Sequence, residues 1–342
     1  MLDDLKLIQR VDKSNGLGVA GMQSEQLLHE FGVELTTDVK IQNVVVGGMG
    51  GSGWPSLVLK SWPGLSVPFE LSSTYSVPHY VNESTLYIAS SYSGNTEETL
   101  SALEDAARCG AHIVVMAAGG KLADVAKEKG YPLYSIPGGF QPRMSSFYFL
   151  AALVQILEPL GLVKQGSLNE LHEGAKWLKN QNVSWLPEVP TDQNEAKQLA
   201  LHMQGKSVLV YSGTLLFPAA NKWKICINEN AKNLAWVNQY PELSHNEFIG
   251  WSSHPVEKPF AVIEIQSNLE HSRIQKRFAL TDKLLSGKRP HAVVVNPVGE
   301  TVLQQILWAF NLGDYASMYL AVLNNVDPTP VDLVEKFKHE LG

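Results

Sequence analysis

The chain has 342 residues, a net charge of −7 and two cysteines. That length favours two domains with cores large enough to fold without disulfides or a structural metal. No run of five or more basic residues occurs, so neither nucleic acid nor an anionic membrane surface is an expected partner. Cys109 and Cys226 each sit among apolar residues, and the start, Met1-Leu2-Asp3-Asp4-Leu5-Lys6, has no signal-peptide core. Reduced buried thiols and a cytoplasmic location are therefore expected.

Residues 1–38 read as a polar segment with helical patches. Strand patterns follow at 41–46, 67–71, 85–90, 112–116 and 131–136, with helical patterns at 97–108 and 121–129 between them. Alternating strands and helices predict a mainly parallel sheet. The most apolar stretch, residues 147–163, carries Gln155, Glu158 and Pro159. It reads as a buried helix rather than a membrane span. Residues 165–191 are poor in strand signal and form a helical excursion and linker. A second α/β pattern begins near Glu195: strands at 207–211, 259–266 and 292–295, helices at 218–233 and 273–285, and further helices beyond. The predicted boundaries are a helical segment 1–38, a first α/β domain 39–163, a helical linker 164–194 and a second α/β domain 195–342.

Two loops carry the strongest chemical signal. Gly47-Gly48-Met49-Gly50-Gly51-Ser52-Gly53 follows the first strand pattern. Ser90-Ser91-Tyr92-Ser93-Gly94-Asn95-Thr96 follows the third. Loops of this kind at strand-to-helix junctions expose backbone N–H groups to an anion. In the flavodoxin-like strand order 2-1-3-4-5, the first and third strands are neighbours at the topological switch point. Both loops would then face one crevice and hold a single phosphate, with the Ser52, Ser91, Ser93 and Thr96 hydroxyls adding donors. The bland alternative is that the glycines only permit tight turns and Thr96 only caps a helix. A second alternative is a dinucleotide site, because residues 48–53 satisfy G-x-G-x-x-G and Glu70 ends the next strand.

Four further positions can carry chemistry, each against a plain structural reading. Arg143 follows the fifth strand, where an arginine can hold phosphate or a developing oxyanion; otherwise it is a surface arginine at a helix start. Glu229 lies among asparagines, off the centre of an expected buried helix stripe of Trp223, Ile227, Ala231 and Leu234. It can serve as a general base or be a solvated helix glutamate. His245, in the polar loop Glu242-Leu243-Ser244-His245-Asn246-Glu247, can serve as acid or base near neutrality or be incidental. Lys336 lies off the apolar stripe Val331, Val334, Phe337 and Leu341 of a last helix started by Pro330, and Thr329, seven residues earlier, could share its side. The ten histidines show no paired ligand spacing, and two cysteines make no thiolate site, so no metal is expected.

Together these segments resemble the bifunctional phosphoglucose/phosphomannose isomerase family, which is built from two sugar isomerase (SIS) domains. The resemblance runs through nearly the whole chain. It rests on Gly50-Gly51-Ser52-Gly53, on Ser91 to Thr99, and on Pro142-Arg143. It rests equally on Asn228-Glu229-Asn230-Ala231-Lys232, on the His245 loop, and on Asp327-Pro328-Thr329-Pro330-Val331 with Lys336. The Ser-Gly-Asn-Thr loop by itself marks only a sugar-phosphate SIS domain; its combination with the Asn-Glu-Asn helix, loop histidine and C-terminal lysine is far more specific. Ser244 departs from the asparagine usual before the histidine, and residues 22–26 are only loosely family-like.

The resemblance implies two flavodoxin-like SIS domains and a metal-independent aldose–ketose isomerase without cofactor. Its substrates would be glucose 6-phosphate, mannose 6-phosphate or both, converted to fructose 6-phosphate. Gly50, Gly51, Ser52, Ser91, Ser93 and Thr96 would bind the phosphate. Glu229 would move the proton between C1 and C2, and Arg143 would stabilise the enediolate. His245, supplied by the partner in a homodimer, and Lys336 would assist ring opening. Thr329 would leave room for either configuration at C2. Two competing functions are a non-catalytic sugar-phosphate sensor with the same loops, and a dinucleotide-dependent oxidoreductase.

Overall fold

The computed structural model describes residues 1–253 and 257–341. In chain order its helices and strands begin with α1 (Leu5–Val11), α2 (Gly16–Gln26), β1 (Asn43–Gly48), α3 (Gly50–Gly53), β2 (Phe69–Ser72), β3 (Thr85–Ser91) and α4 (Glu97–Arg108). They continue with β4 (His112–Ala117), α5 (Gly120–Lys129), β5 (Leu133–Ser135), α6 (Ser146–Leu157), α7 (Ser167–Gln181) and α8 (Glu195–Met203). β6 (Ser207–Ser212), α9 (Phe217–Ala231), β7 (Ala235–Gln239), α10 (Glu247–Gly250), β8 (Phe260–Ile265), α11 (Ser272–Leu284), β9 (Val293–Val295), α12 (Val302–Leu323) and α13 (Asp332–Leu341) complete them. The chain divides into two compact units, residues 22–179 and residues 1–21 with 180–342.

The unit 22–179 is a five-stranded parallel sheet in the order β2-β1-β3-β4-β5. This is the expected 2-1-3-4-5 order, with β1 and β3 adjacent. Runs such as Val44-Val45-Val46 are continuously apolar because both sheet faces are covered. Val44, Val46, Leu86, Ile88, Val114 and Met116 pack with Phe149, Leu153 and Ile156 of α6. The alternate residues Val45, Tyr87, Ala89 and Val115 pack with Ala102, Leu103 and Ala106 of α4 and Leu122 and Ala126 of α5. The buried helix expected within 147–163 is α6, whose residues are all buried apart from the partly exposed Tyr148 and Gln155.

The second unit holds a four-stranded parallel sheet, order β7-β6-β8-β9. On one face, Tyr211 and Val262 pack with Tyr240, Leu243, Ile274 and Phe278. α9 and α12 are locked to each other: the Trp223 indole donates to the Ala309 carbonyl at 2.6 Å. A Cβ at Gly313 would come within 2.3 Å of the Trp223 ring, so this close approach needs glycine. α12 begins with a capping box between Thr301 and Gln304. By length and composition it could cross a membrane, but its apolar window is wholly buried in the fold.

Three expectations need correction. β7 was not expected from the sequence. Leu234 is not on the buried stripe of α9: the helix ends at Ala231, Lys232 turns the chain at φ 50°, and Leu234 is 65% exposed just before β7. Pro330 is not the first residue of the last helix, which begins at Asp332, so Thr329 and Lys336 do not share a continuous helix face. The stripe Val334, Phe337 and Leu341 is exposed on the described chain.

Candidate active site

The loops after β1 and β3 lie side by side at the carboxyl ends of paired strands, Gly48 opposite Ser90. They are tied directly. The Tyr92 N–H donates to Ser52 Oγ at 2.9 Å, and Ser90 Oγ donates to the Ser52 carbonyl at 2.7 Å. Ser91 Oγ and Thr96 Oγ1 share a hydrogen bond of 2.8 Å. The Gly94 and Asn95 N–H groups donate to Ser91 Oγ and Ser93 Oγ. Ser52 and Ser91 are buried while Ser93 is exposed. Gly94 has φ 67°, and a Cβ there would strike the Gly119 carbonyl at 1.8 Å; the turn therefore requires glycine. Thr96 stands at the N-cap of α4 but makes no side-chain cap bond, so its hydroxyl serves the loop instead.

The turn Pro142–Met144 closes on the same place. Gly51 faces the backbone of Arg143, where an added Cβ would lie 2.7 Å from the Arg143 nitrogen. Arg143 is 1% exposed. The plain reading of it as a surface arginine does not hold. Gln26 supports this turn from α2 by donating to the Met144 carbonyl at 2.8 Å. Within residues 22–26, only loosely family-like in sequence, Gln26 thus has a defined role in packing.

The α-helix that starts within the Gly48–Gly53 motif, α3, is only four residues long, and a 3-10 stretch, Trp54–Lys60, follows the motif. A dinucleotide fold presents its glycine turn at the start of a full helix whose N-terminus meets the pyrophosphate. Glu70, the acidic residue that a dinucleotide site would use, accepts a hydrogen bond from the Tyr80 hydroxyl at 2.7 Å. Both observations weigh against the dinucleotide reading.

Glu229, His245, Thr329 and Lys336 belong to the other unit. Glu229 sits in the last turn of α9, partly buried. Its neighbours fix that turn. Asn230 Nδ2 donates to Ser317 Oγ at 2.9 Å, and Asn228 Oδ1 accepts from the Ala235 N–H at 2.8 Å. The Lys232 ammonium donates to the Asp327 carbonyl, and Asp327 Oδ1 accepts from the Thr329 N–H at 3.0 Å. The structure therefore brings Thr329 and the Glu229 end of α9 together, at the amino end of the sheet.

His245 lies elsewhere. It is exposed at the end of a 3-10 turn, Glu242–His245, beyond the carboxyl end of β7. From Ala235, held by Asn228, to Asn238, held by Glu247, is three residues of strand, about 10 Å. Glu229 and His245 of one chain thus occupy opposite ends of β7. Lys336 is exposed on α13. Among the described residues, no three His, Cys, Asp or Glu side chains cluster as a metal site.

Beneath Glu229, α9 carries a polar cluster that sequence inspection missed. The Lys222 ammonium and Asp314 carboxylate pair at 2.8 Å, both essentially inaccessible to solvent, and the Cys226 thiol donates to the same carboxylate at 2.9 Å. Burial alone would pull Lys222 down, but Asp314 holds it above its ordinary value. Burial pushes the Cys226 thiol up. The only sequence signal was spacing: Lys222, Cys226 and Glu229 fall within two turns of one helix.

A bifunctional phosphoglucose/phosphomannose isomerase of Caldicellulosiruptor bescii is 36% identical over 325 residues, covering 93% of this chain and 95% of that protein. The chain belongs to the bifunctional phosphoglucose/phosphomannose isomerase family. Residues 192–341 match the family model of the bacterial phospho-glucose isomerase C-terminal SIS domain. A D-glucosamine-6-phosphate 4-epimerase of Sulfolobus acidocaldarius is also similar, 31% identical over 87% of this chain and 88% of that protein. A solved structure described as a glucose-6-phosphate isomerase like protein from Thermus thermophilus has a TM-score of 0.65 at 18% identity, covering 97% of this chain and 99% of that one. It bears out the mainly parallel SIS-type fold.

Proposed function

We propose that this family member interconverts glucose 6-phosphate and mannose 6-phosphate with fructose 6-phosphate through a cis-enediolate. The observation that carries the reading is the tie between the β1 and β3 loops, bridged by Ser52 and Tyr92 and flanked by the Arg143 turn. Backbone N–H groups and hydroxyls converging at the ends of two neighbouring strands suit a phosphomonoester. An anchor remote from the reacting carbons supplies binding energy for positioning.

Aldose–ketose isomerisation needs a base over the C1–C2 edge, a cation where O1 or O2 gains charge, and a proton donor for the ring oxygen. In this reading Glu229 is the base and Arg143 the cation, while His245 and Lys336 open the ring. Carboxylate, guanidinium, imidazole and ammonium supply the whole set without a metal. The enediolate is planar at C2, so reprotonation on either face links both aldoses to one ketose. Thr329, tied to the end of α9, would leave room for either configuration.

The enzyme is read as a cytoplasmic homodimer in which each His245 serves the partner's site. What supports this is the placement of Glu229 and His245 at opposite ends of β7. A site needing both side chains is then completed by a second copy.

A coupled assay with each aldose phosphate, with and without chelator, tests the function. Fructose 6-phosphate should form from both, chelator or not. Formation of a 4-epimer, or no turnover of either sugar, would contradict it.

A further inference from the structure

A row of polar side chains crosses the second sheet at its carboxyl end. Asn238 on β7 is in register with Tyr211 on β6, and Tyr211 with Glu264 on β8. In a parallel pair, residues in register project from the same face. Glu264 is buried and paired with Arg289 at 2.7 Å. Asn238 and Tyr211 both reach one carboxylate, that of Glu247. Its Oε1 accepts from the Tyr211 hydroxyl, and its Oε2 accepts from Asn238 Nδ2 at 2.7 Å.

Glu247 lies two residues after His245. The step between them is also fixed: Asn246 Oδ1 accepts from the Glu247 N–H at 2.6 Å, and Asn246 Nδ2 donates to Glu242 Oε1 at 2.7 Å. On the other side of His245, Leu243 is 1% exposed in the core with Tyr211 and Tyr240. The exposed histidine therefore stands on a short turn anchored at both ends, with Glu247 as the polar anchor. A carboxylate held by two donors on two strands cannot slide along either strand without losing a charge-assisted bond.

We propose that Glu247 is a positioning residue for His245: it clamps the histidine turn to β6 and β7 through Tyr211 and Asn238 and so sets where the imidazole stands in catalysis. The proposal rests on the ring-opening role given to His245 above. It assigns Glu247 no contact with substrate. The loss of this clamp frees the turn while leaving the phosphate loops untouched. Misplacing a catalytic group by about 1 Å is enough to cost up to a hundredfold in rate.

The test is a cycle of Glu247→Ala, His245→Ala and the double variant, with kcat, KM and thermal midpoint measured for each. Glu247→Ala should lower kcat by roughly tenfold to a hundredfold with KM within about twofold. In the His245→Ala background it should have no further effect on kcat. Glu247→Gln should restore much of the loss, since its carbonyl can accept from Asn238 and its amide can donate to the Tyr211 oxygen. An equal drop in kcat in both backgrounds would overturn the proposal, as would unchanged turnover in Glu247→Ala. If Glu247→Ala does not fold, the same cycle with Tyr211→Phe decides by the same criteria. Wild-type turnover in His245→Ala would instead remove the role of the histidine itself, and is read separately.

Discussion

Gly51 lies against the backbone of Arg143: a Cβ at position 51 would sit 2.7 Å from the arginine nitrogen and 2.9 Å from its Cα. The first phosphate loop and the arginine turn are therefore one packed object, and glycine is the residue that lets them meet. Gly51→Ala must push the turn away, because backbone atoms cannot give as a side-chain end can. Overpacking of this kind costs about 1–3 kcal/mol. Thermal unfolding should register that loss, and kcat/KM should fall with it. Gly138→Ala is the control: no atom lies within 4 Å of a Cβ there, and both quantities should stay near wild type.

Ser52 and Ser93 should separate structure from binding. Ser52→Ala strips the Tyr92 N–H of its acceptor and unties the two loops, so it should lower stability and raise KM together. Ser93 is exposed. Ser93→Ala should leave the melting midpoint nearly unchanged and raise KM by an amount equivalent to about 1.5–3 kcal/mol, the worth of a charge-assisted hydrogen bond. Inorganic phosphate should compete with substrate in wild type and more weakly in both variants. An unchanged inhibition constant would place the anion elsewhere.

The loops were legible because glycine and serine at a strand end have few structural uses besides turning the chain and meeting an anion. The order of the first sheet followed from helices alternating with strands. β7 was not legible. α9 ends on Lys232 in the left-handed region, where glycine is the usual signal, so no sequence signal stops the apolar helical period before Leu234. Burial of Arg143 was equally hidden, because its turn packs against Gly51, which is distant in sequence. The Lys222–Asp314 pair joins two helices far apart in sequence, a partnership no local pattern encodes.

That buried pair gives a stability prediction. Asp314→Asn or Lys222→Met alone leaves an uncompensated charge or donor in the core between α9 and α12, a loss of about 3–5 kcal/mol. Replacing both by apolar residues removes both desolvation penalties. Denaturant titration of Lys222→Met with Asp314→Leu should therefore place the double variant above either single one. Additive losses would mean that the two side chains do not act as a pair.

Sharing of the site between subunits is tested by mixing. Glu229→Gln and His245→Ala proteins should each be nearly inactive. After subunit exchange, a dimer with one chain of each kind holds one site with both lesions and one with neither. About half of the sites in such a dimer should then work, and activity should reappear. Absence of recovery, with exchange demonstrated by mass, would return His245 to the site of its own chain or to no site at all.

The most direct measurement follows fructose 6-phosphate in deuterated water by proton NMR, for wild type and Glu229→Gln. Wild type should produce both glucose 6-phosphate and mannose 6-phosphate, each labelled with deuterium at C2. Glu229→Gln should remain folded, still bind phosphate, and lose formation and labelling of both aldoses together, on the order of a thousandfold or more. Labelling at the wild-type rate in Glu229→Gln, or a wild-type product altered at C4 instead of C2, would contradict it.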